Sequence, residues 1–540
     1  MKKTFLVLIV LLCAATMAIS SASAASDDIV SDEIGTIDFD DNAIDTVSST
    51  ESDFSSDNLA IDDADSSISD DSGTNDKSLE SPPLKEGETT IYVSTTGSDE
   101  NDGLSEATSV ATVGKAVSIV NSTDGSDFTI RVANGNYNIE KIDSPEAKNV
   151  KLLGESKEGT ILHASGIYGI NVYEDAVNWT IENFTFCDLN SSSSTSRGIT
   201  CFAEDSNFIV NNCIFRNIGS KNGAIYITSS GTRRISNCLF EDNYGTYSSS
   251  SSIIHVYGEG QVVLDNIEIT GSYNDPSVGD ATYLRSLIYA DQSQTNVVLM
   301  NSRIHDNNCS LGSIIESKGM FKVINTTIEN NYINTSPNGV NGGTYIFYSG
   351  TSSNSASNIN ITQSVIKDNV IATGSIGIFN IVYGSHNIDH SIIMNNKYAN
   401  GNDVGLGSIT GSSSITTDDN YWGTNERPNT QTSKWVILTA DVPEYAFVGV
   451  DETIPVYLNT YNTTSGEMPT VDLGVSYALN QQNPSTVTIA NGAGAIEYLA
   501  ANDGDETVTL SSGDAFSFEV NADVSTLIYV DAAAETSGTG

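Results

Sequence analysis

Basic residues are scarce: 23 Lys+Arg stand against 69 Asp+Glu in 540 residues, a formal net charge of −46. A balance this acidic repels phosphate backbones and anionic lipid headgroups, which excludes a nucleic-acid binder or a peripheral membrane protein held by basic residues. Long apolar runs are missing beyond the first 25 residues, so no later segment is apolar enough to cross a bilayer. There are only six Cys and five His, and no Cys-x-x-Cys or His-rich spacing suggests a metal site. Runs of Ala, Leu, Lys and Glu are also lacking, which argues against a helical bundle.

The chain opens like a secretory signal. Lys2 and Lys3 form the charged start, Phe5 to Ile19 the apolar run, and Ala22-Ser23-Ala24 the cleavage pattern. Leu12 before Cys13 does not fit a lipoprotein anchor, and the apolar stretch is short for a membrane span. The expected location is therefore extracellular or at the cell surface, with no membrane insertion after residues 1–25 are removed. Residues 26–88 then read as an acidic Ser/Asp-rich disordered spacer. Between 26 and 80 there are 18 acidic residues and 12 Ser, with Lys77 the single basic residue and Phe39 and Phe54 the only aromatics. Such a segment repels itself and has little to bury.

From about residue 178 onward the chain repeats itself loosely. Eight segments align on one polar column: Asn183, Asn212, Asn237, Asn266, Asn301, Asn325, Gln363 and His390. Two residues earlier the column is wholly apolar (Ile181 through Ile388), and so is the column three residues later (Phe186 through Ile393). Apolar residues five apart fall on opposite faces of a straight strand, so the chain must bend at the polar column, where Asn tolerates left-handed backbone. A second corner follows at Asp188, Asn217, Asp242, Gly271, Asp306, Asn330, Asp368 and Asn395. Further β-rich runs (GAIYIT, SIIHVYG, GSIIES, GTYIFYS) complete coils of about three strands. The fold class is thus all-β, a parallel β-helix over residues 89–435, each strand pairing with its equivalent one coil away. The first polar column is expected to point inward as an asparagine ladder, with its amides hydrogen-bonded from coil to coil. Ala111 to Val120 carries Val113, Ala116, Val117 and Val120 at helical spacing, enough for an N-terminal cap over the open end of the core. From residue 436 to 530 alternating runs such as ETIPVYLN and ETVTLSS predict a small Ig-like β-sandwich without Cys, followed by a flexible tail, 531–540.

The signal, the acidic spacer, the IYVSTTGSDENDG opening, the asparagine-cornered coils and the closing DNYWGTN at 419–425 together resemble the adhesin-like surface proteins of methanogenic archaea. That resemblance implies a right-handed β-helix of the pectate-lyase-like superfamily. It also implies that the C-terminal module is a spacer. Polysaccharide lyases of that fold resemble one another in a calcium-binding carboxylate cluster beside a Lys or Arg base on the outer face. Outward residues such as Glu182, Asp265 and Arg303 exist here, but no two adjacent coils are seen to stack several carboxylates beside an Arg. Arg233, next to Arg234, falls in a column otherwise held by Trp179, Phe208, Val262, Val297, Phe321 and Ile359, so a kink or a buried ion pair is expected there. The chain reads as non-catalytic.

Three smaller features carry expectations. The loop Asp99, Asn101, Asp102 with Glu106 has oxygen ligands in a loosely calcium-like spacing, one residue short of an EF-hand; a plain Asp-Gly turn is favoured, and calcium is the one cofactor suggested. Cys213 and Cys238 should stack in successive coils, as buried free thiols rather than a disulfide, with Cys187, Cys201 and Cys309 elsewhere. Of nine sequons (Asn121, Asn178, Asn183, Asn190, Asn308, Asn325, Asn334, Asn360, Asn462), Asn183 and Asn325 should be too buried for glycosylation. Two functions compete. One is an exported adhesin presenting insertions at 190–200, 244–251, 272–285 and 331–343 to cell-surface glycans or proteins. The other is a secreted polysaccharide lyase or glycoside hydrolase.

Overall fold

The computed structural model describes residues 87–522 apart from short stretches, the longest being 275–283, 335–343, 442–452 and 464–472. The signal, nearly all of the spacer, the tail and most of the four insertions lie outside the described residues. The chain from Thr89 to Thr416 winds through one parallel solenoid of three sheets. The first sheet stacks twelve strands in sequence order, from Thr89–Val93 to Ser413–Thr416. The second stacks ten, from Gly135–Ile139 to Ile392–Met394. The third has 16 strands, several of them two-residue corner strands. In the first sheet alternate residues such as Trp179 and Ile181 are buried, and they meet Phe208 and Val210 in register on the next coil. Phe186, Phe215 and Phe240 stack face to face at 5.1 and 4.8 Å between ring centres, filling the core like coins.

Both corners are where the repeat puts them. All eight residues of the first column adopt positive φ, between 45° and 64°, and the second corner does the same, with Gly271 at 65°. The one other positive-φ non-glycine among the described residues, Asp419 at 62°, stands 29 residues past His390 and is a ninth first-corner residue. The helix α1 (Val113–Ser122) buries Val113, Ala116, Val117 and Val120, and Thr112 caps it by accepting from the Lys115 amide. It covers the open end of the first coils, as expected from its spacing.

The inward ladder lies in a different column from the one expected. The first-corner amides do run coil to coil, Asn212 donating to Asn183 at 2.7 Å and Asn325 to Asn301 at 2.9 Å, but from Asn237 onward they border solvent. A corner residue in left-handed conformation turns its side chain off both faces of the flanking strands, so this stack lies outside the core. The buried ladder sits one residue past the second corner: Asn307, Asn331, Asn369 and Asn396 are joined by amide hydrogen bonds of 2.8, 2.9 and 2.8 Å. Each also donates to a core carbonyl of the preceding coil, as Asn331 does to Ile304 at 2.9 Å. One residue past the first corner, Ser302, Thr326, Ser364 and Ser391 form a second buried polar row. Cys213 and Cys238 occupy that row as free thiols 3.2 and 3.0 Å from the carbonyl two residues back.

Among the described residues, seven antiparallel strands follow the solenoid, in sheets of three and four, from Val436–Asp441 to Ser517–Ala522. No described helix is long and apolar enough to cross a membrane.

Candidate functional site

The chemistry collects on the outer face of the third sheet. The strands Ile225–Ile227, Ser251–Val256, Leu284–Ala290, Asn308–Ser317 and Tyr345–Ser349 pair in register. Their inward residues are Ile254, Ile288, Ile315 and Phe347. Strand alternation turns the intervening residues outward, and register aligns these as Thr200, Tyr226, His255, Tyr289, Glu316, Tyr348 and Asn380. This row is desolvated although it faces out: His255 is 4 %, Tyr289 1 % and Glu316 0 % exposed.

Charges converge on it. Arg285 sits where the register between its strand and the preceding one shifts, a bulge that re-aims its side chain. Its guanidinium grips Glu316 with both Nε, at 2.8 Å, and Nη2, and lies 4.3 Å from the Tyr289 ring centre. Asp291 takes Lys318 and the Tyr289 hydroxyl as partners. Arg197 stacks on Tyr226 at 4.1 Å, the ring of which meets His255 edge-on at 4.9 Å. His255 Nε2 stands 3.5 Å from Asp291, an ion-pair distance, and neither ring nitrogen has a hydrogen-bond partner among the described residues. Buried hydroxyls without partners gather in the same strands, in the register column Ser252, Ser286, Ser313 and Tyr345.

The two carboxyls live in different environments. Burial pushes Glu316 up, against the pull of Arg285. Burial would raise Asp291 as well, but His255, Lys318 and Tyr289 outweigh it and hold its carboxyl at about 2. Desolvation lowers His255, which Asp291 opposes, and raises the Tyr289 phenol. The side chains of Asp291, Arg285 and Lys318 are 16 %, 19 % and 26 % exposed, so solvent reaches one edge of the cluster.

This corrects the sequence reading, which saw no adjacent coils stacking carboxylates beside an Arg. Asp291 and Glu316 do so beside Arg285 and Lys318. The signal was present: aligned on their inward Ile or Phe, the runs IIHVY, LIYAD, IIESK and IFYS put His, Tyr, Glu and Tyr in one column of otherwise apolar strands. The residues singled out from sequence are spent elsewhere. Glu182 accepts from Asn211 at 2.7 Å, Asp265 pairs with Arg234 at 2.5 Å, and Arg303 grips Glu329 at 2.7 and 2.9 Å. Arg233 is fully buried, and the carbonyls of Ala203 and Ser230 receive its guanidinium.

In the candidate calcium loop the side chains of Asp99, Asn101 and Asp102 have protein partners. Both Asp99 oxygens are taken by the start of α1, accepting from the Ala111 and Thr112 amides at 2.9 and 3.0 Å and from the Thr112 hydroxyl at 2.9 Å. Asn101 donates to the Ser109 carbonyl and Asp102 accepts from Leu104. The carboxylates of Asp99, Asp102 and Glu106 do not all lie within 4.8 Å of one another. Two sequon expectations also change: Asn325 is exposed and Asn183 half-buried, whereas Asn462 is 7 % exposed. A separate open groove of about 700 Å³ runs along the exposed corner stack from Asn212 to Asn325, beside Glu268 and Arg303.

The sequence pattern of the family described as "Right handed beta helix region" matches residues 165–361. The solenoid is a right-handed parallel β-helix. Among solved structures, a pectin methylesterase from Erwinia chrysanthemi is similar at 14% identity and a TM-score of 0.32, over 51% of this chain and 89% of that one. A Geobacillus virus E2 protein is similar at 12% and 0.32, over 81% and 77%. The tailspike protein of an Acinetobacter phage is similar at 11% and 0.31, over 76% and 75%. Likenesses this distant carry no activity or ligand across to this β-helix. No curated protein matches the chain.

Proposed function

We propose that this β-helix is an exported, adhesin-like surface protein that binds carbohydrate through the outer face of its third sheet and does not cleave it. The observation that supports the reading is the solvent-reached edge of that face, where Asp291, Arg285 and Lys318 border the buried rings of Tyr226, Tyr289 and Tyr348 and Tyr257 offers an exposed ring. Aromatic faces stack on the apolar side of a sugar ring, while a few converging charged groups fix its hydroxyls. Tyr257, 45 % exposed beside His255, extends the aromatic surface to solvent. Cell-surface glycans, free or carried on protein, are the partner class. The resemblance to adhesin-like proteins of methanogenic archaea and the signal at residues 1–25 agree with display outside the cell.

A second reading, glycoside or polysaccharide cleavage, draws on the split between Asp291, held at about 2, and Glu316, pushed up by burial. Carboxyl pairs in contrasting environments serve as base and acid. Against it, Arg285 occupies both Glu316 oxygens, so the carboxyl that burial pushes up is not free to give a proton to a substrate, and Lys318 and Tyr289 both hold Asp291 Oδ1. Two measurements on the full chain separate the readings: a glycan array, and incubation with pectins, alginates and host-type glycans followed by assay for reducing or unsaturated ends. Retention on defined glycans, weakened at least tenfold in Tyr257→Ala or Arg197→Ala with unchanged circular dichroism and no product, supports the binding reading. Turnover abolished by Asp291→Asn or Glu316→Gln in folded protein would overturn it.

A further inference from the structure

We propose that His163, Cys187 and Asp188 form a binding site for a borderline divalent metal ion of the zinc class, on the outer face of the second sheet. The site is distinct from the third-sheet cluster. His163 and Cys187 are register partners on adjacent strands, Thr160–Ala164 and Thr185–Cys187, and Asp188 is the left-handed corner residue that comes next. His163 Nδ1 lies 2.8 Å from Asp188 Oδ2 and 3.3 Å from Cys187 Sγ, and the three ligand atoms lie within 4.8 Å of one another. No other group of three or more His, Cys, Asp and Glu side chains among the described residues is so gathered.

The supporting partners also match a metal site. Ligating histidines use their other nitrogen to hold the ring, and ligating carboxylates are themselves hydrogen-bonded. His163 Nε2 is engaged by Asn136 Oδ1 at 3.0 Å, a contact that would hold the ring when a metal replaces the proton Nδ1 shares with Asp188 Oδ2. Asn217 donates to the second Asp188 oxygen at 3.1 Å, which leaves Oδ2 directed at the site. Metal–ligand bonds of about 2.0–2.3 Å put the edges of a tetrahedron at roughly 3.3–3.6 Å, so the His163–Asp188 and His163–Cys187 separations need to open by no more than about half an ångström. With three protein ligands, water would complete the shell, the pattern of an open rather than a purely structural site.

Two features oppose binding and set its strength. The Cys187 thiol is buried and must give up its proton when a metal binds. The Arg216 guanidinium, paired with Glu241 on the next coil, adds positive charge nearby.

Cobalt(II) is the probe, because a thiolate ligand produces a near-ultraviolet charge-transfer band that nitrogen and oxygen ligands do not. Titrating the full reduced chain should give one equivalent of this band, displaced by zinc. The band should vanish in Cys187→Ser and persist in the double variant Cys213→Ser/Cys238→Ser, whose thiols are buried in the core. Asp188→Asn keeps a corner residue suited to left-handed backbone, as Asn217 already is one coil on, and should weaken cobalt at least tenfold with an unchanged melting temperature. No band in the full chain, or a band that survives Cys187→Ser, would overturn the proposal, and neither outcome bears on glycan binding.

Discussion

Asn331 carries four hydrogen bonds inside the solenoid. It donates to Ile304 and Asn369 and accepts from the backbone and side-chain amides of Asn307. Asn331→Ala leaves buried groups above and below without partners, and each such group costs about 1–3 kcal/mol, so a loss of about 2–4 kcal/mol is expected in urea unfolding. Asn301→Ala, in the exposed corner stack, should cost well under half of that, because water replaces the lost amide. His386 occupies the column that Arg233 also interrupts. Its Nδ1 accepts from the Ile359 amide at 3.0 Å, so a proton there would set two donors against each other, and burial lowers it to about 4. The unfolded histidine takes its proton near 6.5. As pH falls through that value the unfolded chain binds the proton first, so stability is full above about pH 7 and declines toward pH 4, by up to about 3 kcal/mol. Thermal melts across that range check this, and His386→Gln should flatten the slope.

The N-terminal cap shows how one element takes over residues whose pattern suggested a ligand. Asp99 looked like the first oxygen of a calcium loop, yet its carboxylate binds the amides at the start of α1, next to the Thr112 cap. Asp99→Ala should cost about 1–2 kcal/mol by loss of a charged cap, with the same melting-temperature shift in excess calcium and in EDTA. The helix itself was legible because its apolar spacing had one solution. The loop left two readings open, a plain Asp-Gly turn, which was favoured, and a calcium loop, because the two share residue types and differ only in where the oxygens converge. Likewise the corners were legible from the turn chemistry of Asn and Asp, but the column that points inward was not. One residue's displacement past a left-handed corner reverses which side chain meets the core.

On the scale of the molecule, a solenoid holds each coil against its neighbours, and its ends need covers. A chain beginning at residue 87 should stay monodisperse by size-exclusion chromatography. One beginning at 124 loses the Thr89–Val93 strand and α1, exposes Phe128, Ile130 and Val132, and should aggregate. The sequence by itself determined the parallel coils, both corners, the cap and the antiparallel end, because period, turn residues and apolar columns are local properties that each coil repeats. Only the tertiary structure decided the sites. His163 meets Cys187, and Arg285 meets Glu316, across 24 and 31 residues because stacking brings successive coils together. Insertions of unequal length between coils hide that alignment in the linear chain, and register restores it.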